Sequence, residues 1–115
     1  MLGLWQSKNH CGAGVVDEPG SVCWQELYAK DVQAVAPFYQ AVFGWRLEQS
    51  PAMDPPYFMF HTQAKAAAGC MALDPSWGDV PPHWMVYVTV ASIRDTRETI
   101  QQAGGTLVTG VMPVV

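Results

Sequence analysis

Charge is scarce in this 115-residue chain: Asp, Glu, Lys and Arg make up 14% of it, against 50% hydrophobic residues. The six basic residues, Lys8, Lys30, Arg46, Lys65, Arg94 and Arg97, are scattered and the formal net charge is −4, so the sequence carries no electrostatic footprint for nucleic acid or an anionic membrane. No apolar run approaches the length that crosses a bilayer, and the N-terminus has no basic stretch leading into an apolar one. A cytoplasmic location is expected. Cysteine is sparse as well. Cys11, Cys23 and Cys70 are odd in number, widely spaced and without a CxxC pair, which argues against a disulfide framework and against a thiolate metal knot. Reduced thiols acting as small buried hydrophobes are expected, with a catalytic thiol as the alternative.

What the chain does have is apolar material for one core, and five Trp in a short length. Two segments share a strand-then-helix rhythm. In the first, residues 23–30 read as a strand, Asp31 as an N-cap, and Ala34, Val35, Phe38, Tyr39 and Val42 recur at helical spacing up to Gly44, which suits a left-handed C′ position. Pro37 falls past the first turn of that helix and is expected to kink or tighten it. In the second, residues 84–90 read as a strand, Ser92 as a cap with Asp95 three positions on, and Gly104 and Gly105 as the helix stop. A slide of 61 positions lays Trp24 on Met85, Val32 on Ile93 and Gly44 on Gly105 without a gap. An internal repeat of a strand–helix unit follows, each copy trailed by further strand-like residues (45–48 and 106–108), with the Pro/Gly/Asp-rich residues 74–82 as connector.

The run Glu26-Leu27-Tyr28-Ala29-Lys30-Asp31 through Phe38-Tyr39-Gln40-Ala41-Val42-Phe43-Gly44-Trp45, with Trp77-Gly78-Asp79-Val80-Pro81-Pro82-His83-Trp84 and Ala103-Gly104-Gly105, resembles the glyoxalase/bleomycin-resistance/extradiol-dioxygenase (vicinal-oxygen-chelate) superfamily. The resemblance implies an α+β fold of paired βαβββ modules whose curved sheets share a cavity. The first module would span about residues 21–73, the connector 74–82, and a second, apparently truncated module 83–115. Residues 1–20 resemble the closing strand of a preceding module (2–6) and a linker. An unfinished sheet leaves an open edge, so a homodimer is expected in which the N-terminal strand exchanges between subunits.

Metal-dependent members of this family bind a divalent ion through His, Glu or Gln on the first strand of each module. The matching positions here are Trp24 and Met85, and the later-strand position near Gly69-Cys70-Met71-Ala72 has no carboxylate or imidazole, so no metal and no cofactor is assigned. Whether the chain is an enzyme stays open. Strand alternation puts Trp24, Glu26 and Tyr28 on one face and Met85, Tyr87 and Thr89 on the matching one; Trp24, Glu26, Tyr28, Met85 and Tyr87 are the candidate ligand-binding residues, with Trp84 turned to the core. Glu26 and His61 are the candidate catalytic groups. Glu26 between two aromatics is a partly desolvated carboxylate, a general base, a counter-ion for a cationic ligand, or a structural hydrogen-bonding group. Tyr57, Met59 and His61 alternate onto one face, and Glu26, His83 and His61 are the residues from which a different metal site would have to be built, the alternative being a strand-entry His83 and a satisfied Glu26. The leading function is metal-independent binding of a small hydrophobic or aromatic molecule. The alternatives are a metal-dependent lyase, isomerase or dioxygenase, and a non-catalytic interaction module completed by a partner chain.

Overall fold

A computed structural model describes residues 1–51 and 53–113; residues 114–115, the end of the expected second module, lie outside the described residues. Strand β1 (Val22–Ala29) leads into helix α1 (Val32–Phe43), followed by β2 (Arg46–Gln49), β3 (Phe58–His61) and β4 (Ala66–Ala72). This is the βαβββ unit, and β5 (His83–Val88) and α2 (Ile93–Gln102) begin a second strand–helix pair. The fold is α+β, with sheet order β2-β3-β4-β1-β5. Strand β3 runs antiparallel to both β2 and β4, and β1 lies parallel to β4. A parallel pair needs a long crossover, which α1 and the β2–β3 hairpin supply.

The ends of α1 follow from its caps. The Asp31 carboxylate accepts from the backbone N–H groups of Gln33 (2.9 Å) and Ala34 (3.1 Å), and Gly44 takes the left-handed conformation at φ 68° while its N–H reaches the Gln40 carbonyl at 2.9 Å. A cap of this kind is worth about 1 kcal/mol. The helix continues through Pro37 to Phe43.

Alternation then sorts the strands. Leu27 and Ala29 of β1, Phe60 of β3, and Ala68 and Cys70 of β4 form the core with Val32 and Tyr39 of α1. Tyr39 sits at its centre, with ring centroids 5.0 Å from Phe60, 5.9 Å from Trp45 and 5.7 Å from Trp84. Trp84 packs here as alternation requires, and its indole N–H donates to the Tyr39 hydroxyl at 3.2 Å. Cys70 is fully buried, and burial pushes its thiol up to about 12, with the Glu26 charge adding to the shift; it is an inert core residue. Cys11 and Cys23 are exposed, so the expectation of buried cysteines holds for one of the three.

The chain divides into two compact units, residues 1–14 with 24–87 and residues 15–23 with 88–115. The first holds nearly all of the sheet and α1. In the second, the Thr89 N–H donates to the Ser21 carbonyl and the Gly20 N–H to the Thr89 carbonyl, both at 2.9 Å, and the Ser92 hydroxyl caps α2 by accepting from the Asp95 N–H at 3.3 Å. Gly104 ends that helix at φ 86°.

Among the described residues, 2–6 and 106–108 are not in strands. Apolar alternation makes a segment fit for a sheet, but a strand exists only where a neighbour takes its backbone N–H and C=O groups.

Candidate functional site

The sheet face opposite α1 carries the chemistry, and register brings it together. Glu26 on β1 lies beside Gly69 on β4, Gly69 beside Met59 on β3, and Met59 beside Glu48 on β2, so a single row across four strands alternates carboxylate, glycine, thioether and carboxylate. Glu26 is only 5% exposed. A buried carboxylate must have hydrogen-bond donors, and here they are phenols: the Tyr57 hydroxyl donates to Oε2 at 2.8 Å and the Tyr87 hydroxyl to Oε1 at 3.0 Å. Each phenol is held in turn. The Trp24 indole N–H donates to the Tyr57 oxygen at 3.1 Å, and the Tyr28 and Tyr87 hydroxyls lie 3.2 Å apart. The one proton of Tyr87 is spent on Glu26, so Tyr28 is the donor of that last bond. The two halves of the internal repeat meet in this network, since Glu26 and Tyr87 occupy equivalent positions 61 residues apart.

Gly69 makes the arrangement possible. A β-carbon there would stand 2.0 Å from the Tyr57 hydroxyl oxygen and 2.9 Å from Glu26 Oε2. Only a residue without a side chain lets the phenol cross β4 to reach the carboxylate.

All three phenols in the network hold their protons more tightly than an ordinary tyrosine. Burial is the main cause for each; the hydrogen bond to Tyr87 comes next for Tyr28, and the bond to Glu26 next for Tyr57. For Tyr87 the bond received from Tyr28 acts the other way, but burial and the Glu26 charge prevail. They therefore act as neutral hydrogen-bond groups rather than as tyrosinate.

Around Tyr28 the face is aromatic. The His83 imidazole stacks on it with ring centroids 5.2 Å apart at 17°, and Trp77 lies at 5.4 Å, carried there by a short 3-10 turn (Pro75–Trp77) in the connector. His83 opens β5 with Nδ1 2.9 Å from the Pro81 carbonyl oxygen. Met85 follows on the same face and is 39% exposed.

His61 lies elsewhere. It ends β3 opposite Arg46, at an irregularity in the β3–β4 register, with Nε2 3.7 Å from Glu48 Oε2; that nitrogen is buried and makes no hydrogen bond. Glu48 also pairs with Arg46 at 3.1 Å. Glu26, His83 and His61 do not converge, and among the described residues no group of three His, Cys, Asp or Glu side chains could hold a metal ion. Of the five expected ligand-binding residues, Trp24, Glu26, Tyr28 and Tyr87 share one hydrogen-bond network, and Met85 lies two positions before Tyr87 on β5. Tyr57, Gly69 and Trp77 complete the site and were not singled out as site residues from sequence. Tyr57 had a legible signal, its alternation onto the face of Met59 and His61. The small-residue run of β4 was the signal for Gly69.

Cavities of about 590 Å³ and about 350 Å³ lie beside α1 instead. The larger is lined by Leu27, Val35, Phe38, Tyr39 and Trp84, together with Met1 and Leu2. Neither includes Glu26. No helix among the described residues is long and apolar enough to cross a membrane.

The sequence matches a family model described as Glyoxalase/Bleomycin resistance protein/Dioxygenase superfamily over residues 10–115. Relatives include proteins named "Putative glyoxylase CFP32" in Mycobacterium bovis and Mycobacterium tuberculosis, each 32% identical over 108 residues, covering 93% of this chain and 41% of the relative. A Streptomyces protein named "Anthracycline biosynthesis protein DauV" is 30% identical over 100 residues, covering 87% of this chain and 35% of the relative. The chain thus spans about two fifths of the length of these relatives.

Proposed function

The chain belongs to the Glyoxalase/Bleomycin resistance protein/Dioxygenase superfamily, and from that premise we propose that it binds a small hydrophobic or aromatic molecule on the Glu26 face of its sheet without a resident metal ion. The observation that carries this reading is the commitment of Glu26: both of its oxygens accept phenolic protons, while Trp24 and Met85 stand where the family's metal-binding members place ligands. An aromatic-lined face with a few convergent polar groups suits flat apolar ligands. The name of the Streptomyces relative refers to anthracycline biosynthesis, and a polycyclic aromatic is a ligand class that this face would take by stacking.

Elemental analysis of the purified protein tests the reading. Well under one Ni, Zn, Fe or Mn per chain is expected. About one tightly held ion per chain would overturn it in favour of a metal-dependent lyase, isomerase or dioxygenase, the class to which the glyoxylase name of the mycobacterial relatives points.

We also propose a cytosolic homodimer in which residues 2–6 of one copy add to β5 of the other. Strand β5 is an edge of the sheet with Val86 59% exposed, and Leu4 and Trp5 are 79% and 69% exposed. Deleting residues 1–6 is expected to lower the unfolding midpoint and shift the dimer toward monomer or aggregate. An unchanged solution mass and midpoint would remove the strand exchange, and a larger complex with another chain would favour the interaction-module reading.

A further inference from the structure

The protons of the Glu26 network are all spent inside it. The carboxylate only accepts; Tyr57 and Tyr87 give their single O–H protons to it, Trp24 gives its N–H to Tyr57, and Tyr28 gives its O–H to Tyr87. What the network has left to offer is acceptor capacity, above all on the oxygen of Tyr28, the first donor of the chain, on a residue that is 7% exposed. His83 adds to this. The Pro81 carbonyl can only accept, so Nδ1 is the donor there, and in the Nδ1–H tautomer Nε2 is an acceptor on the imidazole stacked against Tyr28. Charge points the same way. Glu26 is buried, yet neither ion pair among the described residues involves it; its donors are neutral. Buried charges are ordinarily matched by a cation.

We propose that the Glu26 site selects an aromatic ligand bearing a protonated amine, the ammonium lying at the Tyr28 end of the network against the Tyr28 and Trp77 rings. The ligand supplies what the protein lacks, N–H donors and positive charge. Hydrogen bonds polarise one another along the chain Tyr28 to Tyr87 to Glu26, so the carboxylate's charge is felt at the Tyr28 oxygen although the carboxylate itself stays covered. The tyrosine and indole faces add attraction for a cation, and Trp77, 45% exposed on its short turn, is the most exposed aromatic of this site. A ligand whose polar group only accepts, such as a carboxylate or a quinone carbonyl, would meet lone pairs and a negative charge.

This inference rests on the aromatic-ligand reading above, and three probes with a common ring separate the two: 2-naphthylmethylammonium, 2-naphthylmethanol and 2-naphthoate, titrated calorimetrically against the full chain. The ammonium is expected to bind about tenfold or more tighter than the alcohol, as hydrogen bonds to charged groups require, and the naphthoate weakest. In Glu26→Gln the ammonium should lose its advantage over the alcohol; Tyr28→Phe, which keeps the ring and the carboxylate, should reduce that advantage in part. Equal binding of ammonium and alcohol, tighter binding of naphthoate, or an ammonium preference that survives in Glu26→Gln would each overturn the charge selection and leave the aromatic site standing. Failure of all three probes to bind would overturn both.

Discussion

Replacing Gly69 with alanine should destabilise the protein by about 2–4 kcal/mol, combining overpacking with the loss of a buried hydrogen bond. Strand β4 is held between β1 and β3, so its backbone has no free direction in which to move. The new methyl would stand 2.0 Å from the Tyr57 hydroxyl oxygen and 2.9 Å from both Tyr57 Cζ and Glu26 Oε2. Although the nearest atom is the tip of a side chain, the ring is rigid and the tip is tied between the Trp24 N–H and the Glu26 carboxylate. Swinging it away strips Oε2 of its donor and the indole of its acceptor. Urea unfolding of Gly69→Ala, Tyr57→Phe and the double variant measures this. The double variant is expected to be less destabilised than the sum of the singles, because Phe removes the oxygen that makes the worst contact. A Gly69→Ala variant within about 0.5 kcal/mol of the parent, the range of an uninvolved surface change, would refute the account.

Alkaline pH should unfold the protein by titrating the same network. Tyr28, Tyr57 and Tyr87, three of the four tyrosines, have folded-state pKa values raised above the ordinary 10.0, mainly because burial penalises the phenolate. A raised folded pKa means that the folded state keeps the proton where the unfolded state has lost it. The stabilisation is therefore complete below about pH 10 and is lost as pH rises from there toward the folded values, since the unfolded state binds fewer protons throughout that window. Buried Cys70 acts in the same direction. Unfolding midpoints measured from about pH 8 to pH 11 are expected to hold at first and then fall steeply, with tyrosinate absorbance appearing together with loss of structure rather than before it. Tyr57→Phe should flatten the fall. Full tyrosinate absorbance in a chain that still shows native circular dichroism would contradict the burial of these phenols.

Much of the architecture was legible in the one-dimensional pattern because local chemistry enforces it. Asp31 and Gly44 bound α1 through an acceptor for free N–H groups and a left-handed stop; Ser92 and Gly104 do the same for α2. Alternation in β1 and β5 placed Trp24, Glu26, Tyr28, Met85 and Tyr87 on one face and Trp84 on the other, since side chains in a strand can point only two ways. The 61-residue offset already paired Glu26 with Tyr87, the two groups that hydrogen-bond.

Only the tertiary structure decided what Glu26 does. Whether that carboxylate is a free base, a metal ligand or a locked acceptor depends on β3 and β4, whose positions beside β1 come from long-range pairing that no local signal encodes. That pairing brings Tyr57 across Gly69 to one oxygen, and it sends His61 to Glu48 instead of to the network. Among the described residues, 2–6 and 106–108 are outside the strands despite their apolar character. A residue's own sequence neighbourhood states its shape, charge and preferred backbone. Its hydrogen-bond partners are set by which distant segments pack beside it, and for a buried carboxylate those partners determine its chemistry.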